Sequence, residues 1–186
     1  MQSPSHCLMP LLITLFLAAS SSFLHAQKLP TEIDAYGGFS HASFDSTTLG
    51  FSSKSSLNGF AASITAPHLY EELGFTINAD GGYASPLKVY NFLIGPQFSF
   101  ETGRLRLFGN ILGGKAETKI AIHQPTRNEI TSVGRAIALG GGLDINLAHH
   151  IAVRVIDADY VYSKTFNANQ NYVRLSAGFV YQFGRK

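Results

Sequence analysis

Hydrophobic and polar residues alternate with a period of two along most of the chain, from Thr31 to Phe183. The stretch 172–183, YVRLSAGFVYQF, shows the pattern clearly. One face carries Val173, Leu175, Ala177, Phe179, Tyr181 and Phe183, and the other carries the mostly small or polar residues Arg174, Ser176, Gly178, Val180 and Gln182. Because successive side chains of a β-strand point to opposite sides, this alternation predicts strands rather than helices.

Eight segments of about ten residues show the alternation, and this is the length that a tilted strand needs to cross a bilayer. They lie near 31–42, 57–66, 73–83, 87–100, 104–116, 133–147, 151–163 and 172–183. The connections predicted as long polar loops are 43–56, 117–132 and 164–171, whereas the others are short. The link after the third segment, near 84–86, is also short and breaks the alternation of long and short connections. Apart from this link, such a pattern is typical of an up-and-down barrel in an outer membrane, in which the long loops lie outside the cell and the short turns lie in the periplasm.

Glycine and alanine are concentrated on the polar face of these segments, as in ALGGGLDIN within 133–147. An eight-stranded barrel has an interior just wide enough for side chains to fill, so small residues suit its lumen. A soluble sandwich would instead place its large apolar residues inside and its charges outside. The sequence therefore predicts an all-β fold, an eight-stranded antiparallel up-and-down transmembrane β-barrel whose apolar face meets outer-membrane lipid.

The composition agrees with a membrane protein that is exported. Charged residues make up 14% of the chain, against about 25% in ordinary soluble domains, and no basic run is present that would favour nucleic acid as a partner. The apolar run 8–19 and the small residues after it predict a signal peptide over 1–26, followed by an outer-membrane β-barrel domain over 27–186. The only cysteine, Cys7, falls in that signal peptide, so no disulfide or thiol chemistry is expected. We expect localisation in the cell outer membrane, reached through the periplasm.

Several charged residues lie on the face that is predicted to line the lumen: Asp34, Asp80, Arg106, Asp144, Asp157, Asp159 and Arg174. Because an isolated buried charge costs several kcal/mol, we expect the two arginines to pair with the carboxylates and close the lumen. The alternative is a line of charges that forms an ion path. Arg154 and Asp157 have opposite parity, so either Arg154 reaches outward to the interface or a β-bulge resets the alternation.

Candidate catalytic groups are few, and we predict neither a cofactor nor a metal site nor enzyme activity. Adjacent residues on a strand point to opposite faces, so His149 and His150 are interpreted as a solvated turn. A lipid-modifying enzyme would need a histidine, a serine and a carboxylate gathered near the outer rim, and His41 with Ser40 and Ser43 is the candidate. Aromatic residues near strand ends are interpreted as the girdle that anchors a barrel rather than as a sugar-binding surface, namely Tyr36, Tyr70, Phe100, Tyr162, Tyr172 and Phe183.

Three segments together, ALGGGLDINL, AVRVIDADYVYSKT and NYVRLSAGFVYQF, resemble the C-terminal half of the small outer-membrane β-barrel domain proteins of the OmpA/OmpX-like kind. The resemblance implies that the barrel-assembly machinery recognises a C-terminal strand with a terminal aromatic residue. That signal maps to Phe179, Tyr181 and Phe183, after which Gly184, Arg185 and Lys186 follow. The predicted function is a structural or surface-interaction role carried by the extracellular loops, whose ligand the sequence does not identify. A small transport barrel for ions or small solutes, or a lipid-modifying enzyme, are the alternatives.

Overall fold

Antiparallel β-strands form nearly all of the described chain. The structure is a computed structural model and describes residues 32–44, 55–122, 128–166 and 168–185. Within these ranges it contains eight strands, β1 (Ile33–Phe44), β2 (Ser55–Tyr70), β3 (Leu73–Ala84), β4 (Leu87–Thr102), β5 (Leu105–Ile122), β6 (Asn128–Ala148), β7 (Ile151–Thr165) and β8 (Ala168–Phe183). The predicted signal peptide, 1–26, lies outside the described residues. Among them, no helix has the length and apolar character needed to span a membrane.

Each strand pairs with the next, and β8 returns to pair with β1, so the sheet closes into a barrel. At the seam, Ile33 lies opposite Phe183 and Phe44 lies opposite Tyr172. A closed sheet has no unpaired edge, so its backbone amides and carbonyls are hydrogen-bonded without help from water. The predicted all-β fold, an eight-stranded up-and-down barrel, is confirmed.

The two ends of the barrel differ in their connections. The turns 71–72, 103–104 and 149–150 lie at one end, together with the start of β1 and the end of β8, and we call this end the lower rim. The opposite end is the upper rim, where β1, β3, β5 and β7 end, and two of the links that follow them, 45–54 and 123–127, are longer in sequence than the lower-rim turns. Each strand is thus followed along the chain by its neighbour in the barrel, and the seam between β8 and β1 is closed by strand pairing alone.

Two of the predicted loops are wrong, because the strands extend through them. β5 and β6 pair as far as Ile122 and Asn128, so most of 117–132 is a β-hairpin. Thr165 pairs with Ala168, so the segment 164–171 is strand except at its turn. A strand that extends beyond the lipid can carry polar side chains on its outer face. The polar sequence of these segments is therefore compatible with strands as well as with the predicted loops. Most of the third loop, 43–56, lies outside the described residues.

The apolar face of the strands points away from the lumen. Phe92, Phe98 and Leu175 are 57%, 47% and 44% exposed on the outer surface. Asn91 and Gln97, which alternate with the two phenylalanines along β4, are buried in the lumen. A soluble monomer rarely exposes a contiguous apolar surface of this extent. The apolar band is therefore the surface that a lipid bilayer would cover.

A β-bulge interrupts strand β7. Its register with β8 shifts between Arg154 and Asp157, and the two residues between them, Val155 and Ile156, are both exposed. The extra residue reverses the parity of the strand, so Arg154 and Asp157 both point into the lumen. Of the two arrangements that the sequence allowed, the structure has the bulge.

Candidate functional sites in the lumen and at the rims

The upper half of the lumen is filled by apolar side chains. The cluster contains large residues, Phe44, Leu57, Leu87, Leu93, Leu112 and Val161, together with several alanines. The ring of Phe44 packs against that of Tyr172, with centroids 5.3 Å apart. Sequence reasoning expected charges to close the lumen and missed this layer, although the inward parity of Leu93 was a signal for it.

Arg174 of β8 lies below this apolar layer and is buried. Its guanidinium forms ion pairs with Asp80 of β3 and with Asp159 of β7, and it donates a hydrogen bond of 3.2 Å to Oδ1 of Asn78. Gly140 lies opposite Asp159 in the sheet, where an added Cβ would collide with the Asp159 carboxylate. One arginine thus connects carboxylates from two sides of the barrel, and a glycine leaves the space for one of them.

Two further arginines share the carboxylate of Asp144 in the lower lumen. Arg106 places Nη2 2.9 Å from Oδ2 of Asp144 and Nη1 2.5 Å from Oδ2 of Asp34. Arg154 places Nε 2.8 Å from Oδ1 of Asp144 and Nη1 3.5 Å from Oδ2 of Asp157. All five side chains are buried. Each buried charge therefore has an opposite charge beside it, and this is the condition under which burial is tolerated.

Aromatic rings enclose Arg154 on two sides. Its guanidinium carbon lies 4.4 Å from the ring centroid of Tyr36 and 4.1 Å from that of Phe108, distances at which a cation is attracted to a ring face. The Tyr36 hydroxyl donates to Oγ of Ser176 at 3.0 Å, and Ser176 donates to Oδ2 of Asp157 at 3.3 Å. Sequence reasoning left Arg154 without a partner because the bulge that turns it inward is not visible in the alternation.

Two aromatic residues that were assigned to the girdle point into the lumen instead. Tyr36 and Tyr172 are each 4% exposed, and Asn91 donates to the Tyr172 hydroxyl at 2.7 Å. The assignment considered nearness to a strand end and neglected side-chain parity, which places both residues on the inner face. The remaining girdle residues are exposed on the outside, namely Tyr70, Phe100, Tyr162 and Phe183.

The packed lumen leaves little free volume. The cavity beside Arg174 and Tyr172 measures about 10 Å³, roughly the space that a single water needs. A hydrated ion needs more room than this. The lumen is therefore closed at the level of Arg174.

The outside of the upper rim carries two pairs of opposite charges. Nζ of Lys88 lies 2.9 Å from Oε1 of Glu129, and Nζ of Lys119 lies 2.9 Å from Oε1 of Glu117. The hydrogen bond to Glu117 and its negative charge raise the pKa of Lys119. Lys119 also lies over the ring of Tyr90, 5.6 Å from the centroid. These cations are balanced within the rim itself.

Solved structures of small outer-membrane β-barrel proteins are similar to this chain. Neisserial surface protein A is similar with 18% identity, over 81% of this chain and 97% of its own, at a TM-score of 0.62. Ail, the attachment invasion locus protein of Yersinia pestis, is similar with 19% identity, over 81% of this chain and 98% of its own, at a TM-score of 0.53. A structure of Ail in complex with the heparin analogue sucrose octasulfate matches equally well. The chain has the fold of the small outer-membrane β-barrels.

This likeness confirms, at the level of the fold, the resemblance seen in the sequence. No protein-family model and no curated protein matches the chain.

The residues assigned to the assembly signal lie on the last strand of the barrel. Phe179, Tyr181 and Phe183 are exposed on the outer face of β8, and the rings of Tyr181 and Phe183 meet edge to face at 4.6 Å. Arg185 of the tail that follows places Nη2 2.9 Å from Oε2 of Glu101 on the lower rim. Arg185 thus contacts the lower rim, and this contact could not be anticipated from the sequence.

His41, a candidate catalytic residue, has partners other than the predicted ones. Its Nδ1 lies 2.7 Å from Oδ1 of Asn58, and its Nε2 lies 3.1 Å from Oγ of Ser56. Ser40 is buried on the opposite face of β1, so that pairing is wrong, and Ser43 lies opposite Ser56 in the sheet. Ser56 and Asn58 lie beside His41 only because β1 pairs with β2. This pairing is not visible in the sequence, so the two residues could not be predicted as partners of His41.

Ser56, His41 and Asn58 are hydrogen-bonded in the order found in a catalytic triad, which consists of a nucleophile, a base and a residue that orients the base. When Nδ1 carries the proton it donates to Asn58, and Nε2 then accepts the hydroxyl proton of Ser56. No carboxylate hydrogen-bonds to His41 within the described residues, and no group of three or more possible metal ligands occurs there either. The cluster therefore lacks the carboxylate that the sequence-based hypothesis required.

Proposed function

We propose that this chain is an outer-membrane protein whose barrel is a closed, non-catalytic anchor and whose upper rim makes the contacts that define its role. The observation that carries the proposal is the filled lumen, in which Arg106, Arg154 and Arg174 are paired with carboxylates beneath an apolar layer. At the level of Arg174 the free volume is about 10 Å³, which is too small for a hydrated ion or a larger ligand. Recognition is therefore assigned to the outside.

The β5–β6 hairpin is the part of the upper rim best suited to contacts. β5 has 18 residues and β6 has 21, whereas a strand crosses the bilayer with about 9–11. The excess in β5 projects roughly 15 Å beyond the apolar band. The hairpin exposes Ile130 and Val133 beside the Lys119–Glu117 ion pair, and exposed apolar side chains among charges are typical of an interaction surface. The surface-protein and attachment descriptions of the two similar structures support the same assignment.

In this proposal the lower rim faces the periplasm, because its turns are tight and both ends of the described chain lie there. Outer-membrane lipid then surrounds the apolar band. The barrel-assembly machinery recognises the aromatic side chains on the outside of β8. Phe183→Ala should therefore reduce the amount of barrel in the outer membrane several-fold. Gln182→Ala, on the inner face of β8, should leave recognition by the machinery unchanged.

Cysteine labelling tests the placement in the membrane. The expected mature chain has no cysteine of its own, since Cys7 lies in the predicted signal peptide. Thr131→Cys, on the upper rim, should react with a membrane-impermeant maleimide on intact cells, and His149→Cys, in a lower-rim turn, should react only after the outer membrane is permeabilised. A protein recovered soluble from the periplasm, or the reverse labelling pattern, would show that the proposed placement is wrong.

A shortened hairpin tests the surface-interaction role. Replacing 119–131 by Asn-Gly closes the hairpin with a two-residue turn between the paired residues Thr118 and Ser132. Because Ail has been solved with a heparin analogue, heparin-coated beads are a suitable first probe, with neutral dextran beads as the control. Vesicles that carry the full barrel should bind heparin beads, and vesicles with the shortened variant should bind several-fold less. Equal binding by both would exclude the hairpin as the contact surface.

A second candidate, acyl transfer or hydrolysis on outer-leaflet lipid, is favoured by the hydrogen bonds that link Ser56, His41 and Asn58. Mass spectrometry of lipid A from cells that overproduce the protein tests it. Altered acylation that disappears with His41→Ala and persists with Ser43→Ala would support this activity. Lipid A that is unchanged by the wild-type protein would exclude it.

A further inference from the structure

We propose that three cations on the outside of β5, β6 and β7 form a binding site for the phosphate groups of outer-leaflet lipid. Lys115 lies directly opposite Arg135 in the sheet, and Arg135 lies directly opposite Lys164. All three side chains are exposed. Directly opposite residues have Cβ atoms about 5 Å apart, and like charges in such positions destabilise the sheet. An anion held between them would remove this repulsion.

Glu117, the next outward residue above Lys115 on β5, is paired with Lys119 and not with the row of three cations. None of the three cations forms an ion pair with a carboxylate within the part of the chain that the structure describes. On the same rim, by contrast, Lys88 and Lys119 each lie 2.9 Å from a glutamate oxygen. The difference sets Lys115, Arg135 and Lys164 apart as a site that requires an external anion.

The row also lies at the upper boundary of the apolar band. The outward positions of β6 from Ile137 to Leu147 are all apolar or glycine, and Arg135 is the first charged outward residue above them. Lys115 has the same position above the apolar stretch of β5, and Lys164 has it above Tyr160 and Tyr162 of β7. Lipid headgroups lie at this depth, and basic side chains there bind their phosphates. The depth favours lipid over a soluble polyanion.

A surface cavity of about 380 Å³ adjoins the row, lined by Arg135 and Lys164 together with Ser132, Val133, Gly134 and Phe166. The main-chain N–H of Phe166 donates to Oγ of Ser132 at 2.8 Å, and this bond holds the β7–β8 turn against β6. The cavity thus presents cations beside apolar side chains, which is the chemistry of a phosphorylated amphiphile. The planar guanidinium of Arg135 can bind two oxygens of one phosphate.

This inference rests on the outer-membrane placement proposed above, but its test uses the purified, refolded barrel and does not depend on where cells place the protein. The barrel is reconstituted in phosphatidylcholine vesicles with diphosphoryl lipid A, or with the same lipid after its phosphates are removed. The unfolding midpoint is read from heat-modifiable gel migration. With phosphorylated lipid at about 100 times its half-saturating level, the midpoint should rise by about 5–10 °C.

Two variants separate this site from general attraction between charges. The rise in the unfolding midpoint should be abolished in a triple variant that combines Lys115→Gln, Arg135→Gln and Lys164→Gln. It should persist in a double variant that combines Lys88→Gln and Lys119→Gln. If the triple variant does not fold, Arg135→Gln alone should raise the half-saturating lipid concentration about tenfold, as expected for a lost charged hydrogen bond. An equal rise in all variants, or the same rise with dephosphorylated lipid, would overturn the proposal. If heparin raises the unfolding midpoint and lipid A does not, the row binds a soluble polyanion and the lipid assignment is wrong.

Discussion

Asp144 is the carboxylate on which the lower lumen network depends, and Asp144→Asn tests whether charge pairing stabilises the barrel. The side chain is fully buried and accepts hydrogen bonds from Nη2 of Arg106 at 2.9 Å and from Nε and Nη2 of Arg154 at 2.8 and 3.2 Å. Asparagine has the same size but lacks the negative charge. It also presents an NH₂ donor to guanidinium groups that contain only donors.

The expected loss in the free energy of unfolding follows from these contacts. Removing one partner of a buried ion pair costs about 3–5 kcal/mol, and the two arginines cannot relieve the imbalance by losing a proton. Each keeps a second carboxylate, however, with Arg106 2.5 Å from Asp34 and Arg154 3.5 Å from Asp157. We therefore expect the lower end of that range, about 3 kcal/mol.

Urea unfolding of the refolded barrel in lipid vesicles measures this loss. The chain contains no tryptophan, so the circular dichroism of the strands serves as the signal. Glu117→Gln is the control, because its pair with Lys119 is partly exposed and should contribute at most about 1 kcal/mol. Adding Arg154→Met and Asp157→Asn together to Asp144→Asn should recover part of the loss, since the cation and its second carboxylate are then removed as a pair. A loss below about 1 kcal/mol for Asp144→Asn would refute the argument that buried charge pairing stabilises the lumen.

Three further predictions concern the bulge, the lumen and the tail. Deleting Ile156 should leave a barrel that folds, because Arg154, Val155 and Asp157 then alternate regularly and both charged residues still face the lumen, and loss of the heat-modifiable band would show that the bulge itself is required. Planar bilayers that contain the purified barrel should show no conductance steps across a range of salt concentrations, whereas regular steps would show that the lumen opens. Arg185→Ala should lower the free energy of unfolding by less than about 1 kcal/mol, because its pair with Glu101 is partly exposed, and a failure of membrane insertion would instead assign the tail a role in assembly.

The strands and the direction of most side chains could be predicted from the sequence because both depend on local alternation. Asp80 and Arg174 were placed in the lumen by parity alone. Which carboxylate meets which arginine depends on the register of strands that are far apart in sequence, as for Arg106 of β5 and Asp34 of β1. Pairing across the barrel is not a local property, so the sequence predicted the members of the network without predicting its connections.

The features that sequence reasoning missed have similar physical origins. The conflict between Arg154 and Asp157 revealed that the alternation breaks, but a bulge and an outward-reaching arginine were both compatible with it. The length of the β5–β6 hairpin was underestimated because the outward positions above the lipid are polar, as in a loop. The row formed by Lys115, Arg135 and Lys164 exists only through strand pairing, since no basic run marks it in the sequence.

The separation between the lumen and the upper rim has an energetic consequence. Arg174 joins carboxylates of β3 and β7 to β8, so the strands are held in register from within. The β5–β6 hairpin extends above the apolar layer and shares no ion pair with Arg174 among the described residues. Changes at sites that are well separated and share no partner add in their effects on stability. The rim can therefore change its recognition properties while the lumen keeps the barrel closed, and this is the physical basis for assigning the specific role of the protein to its outer surface.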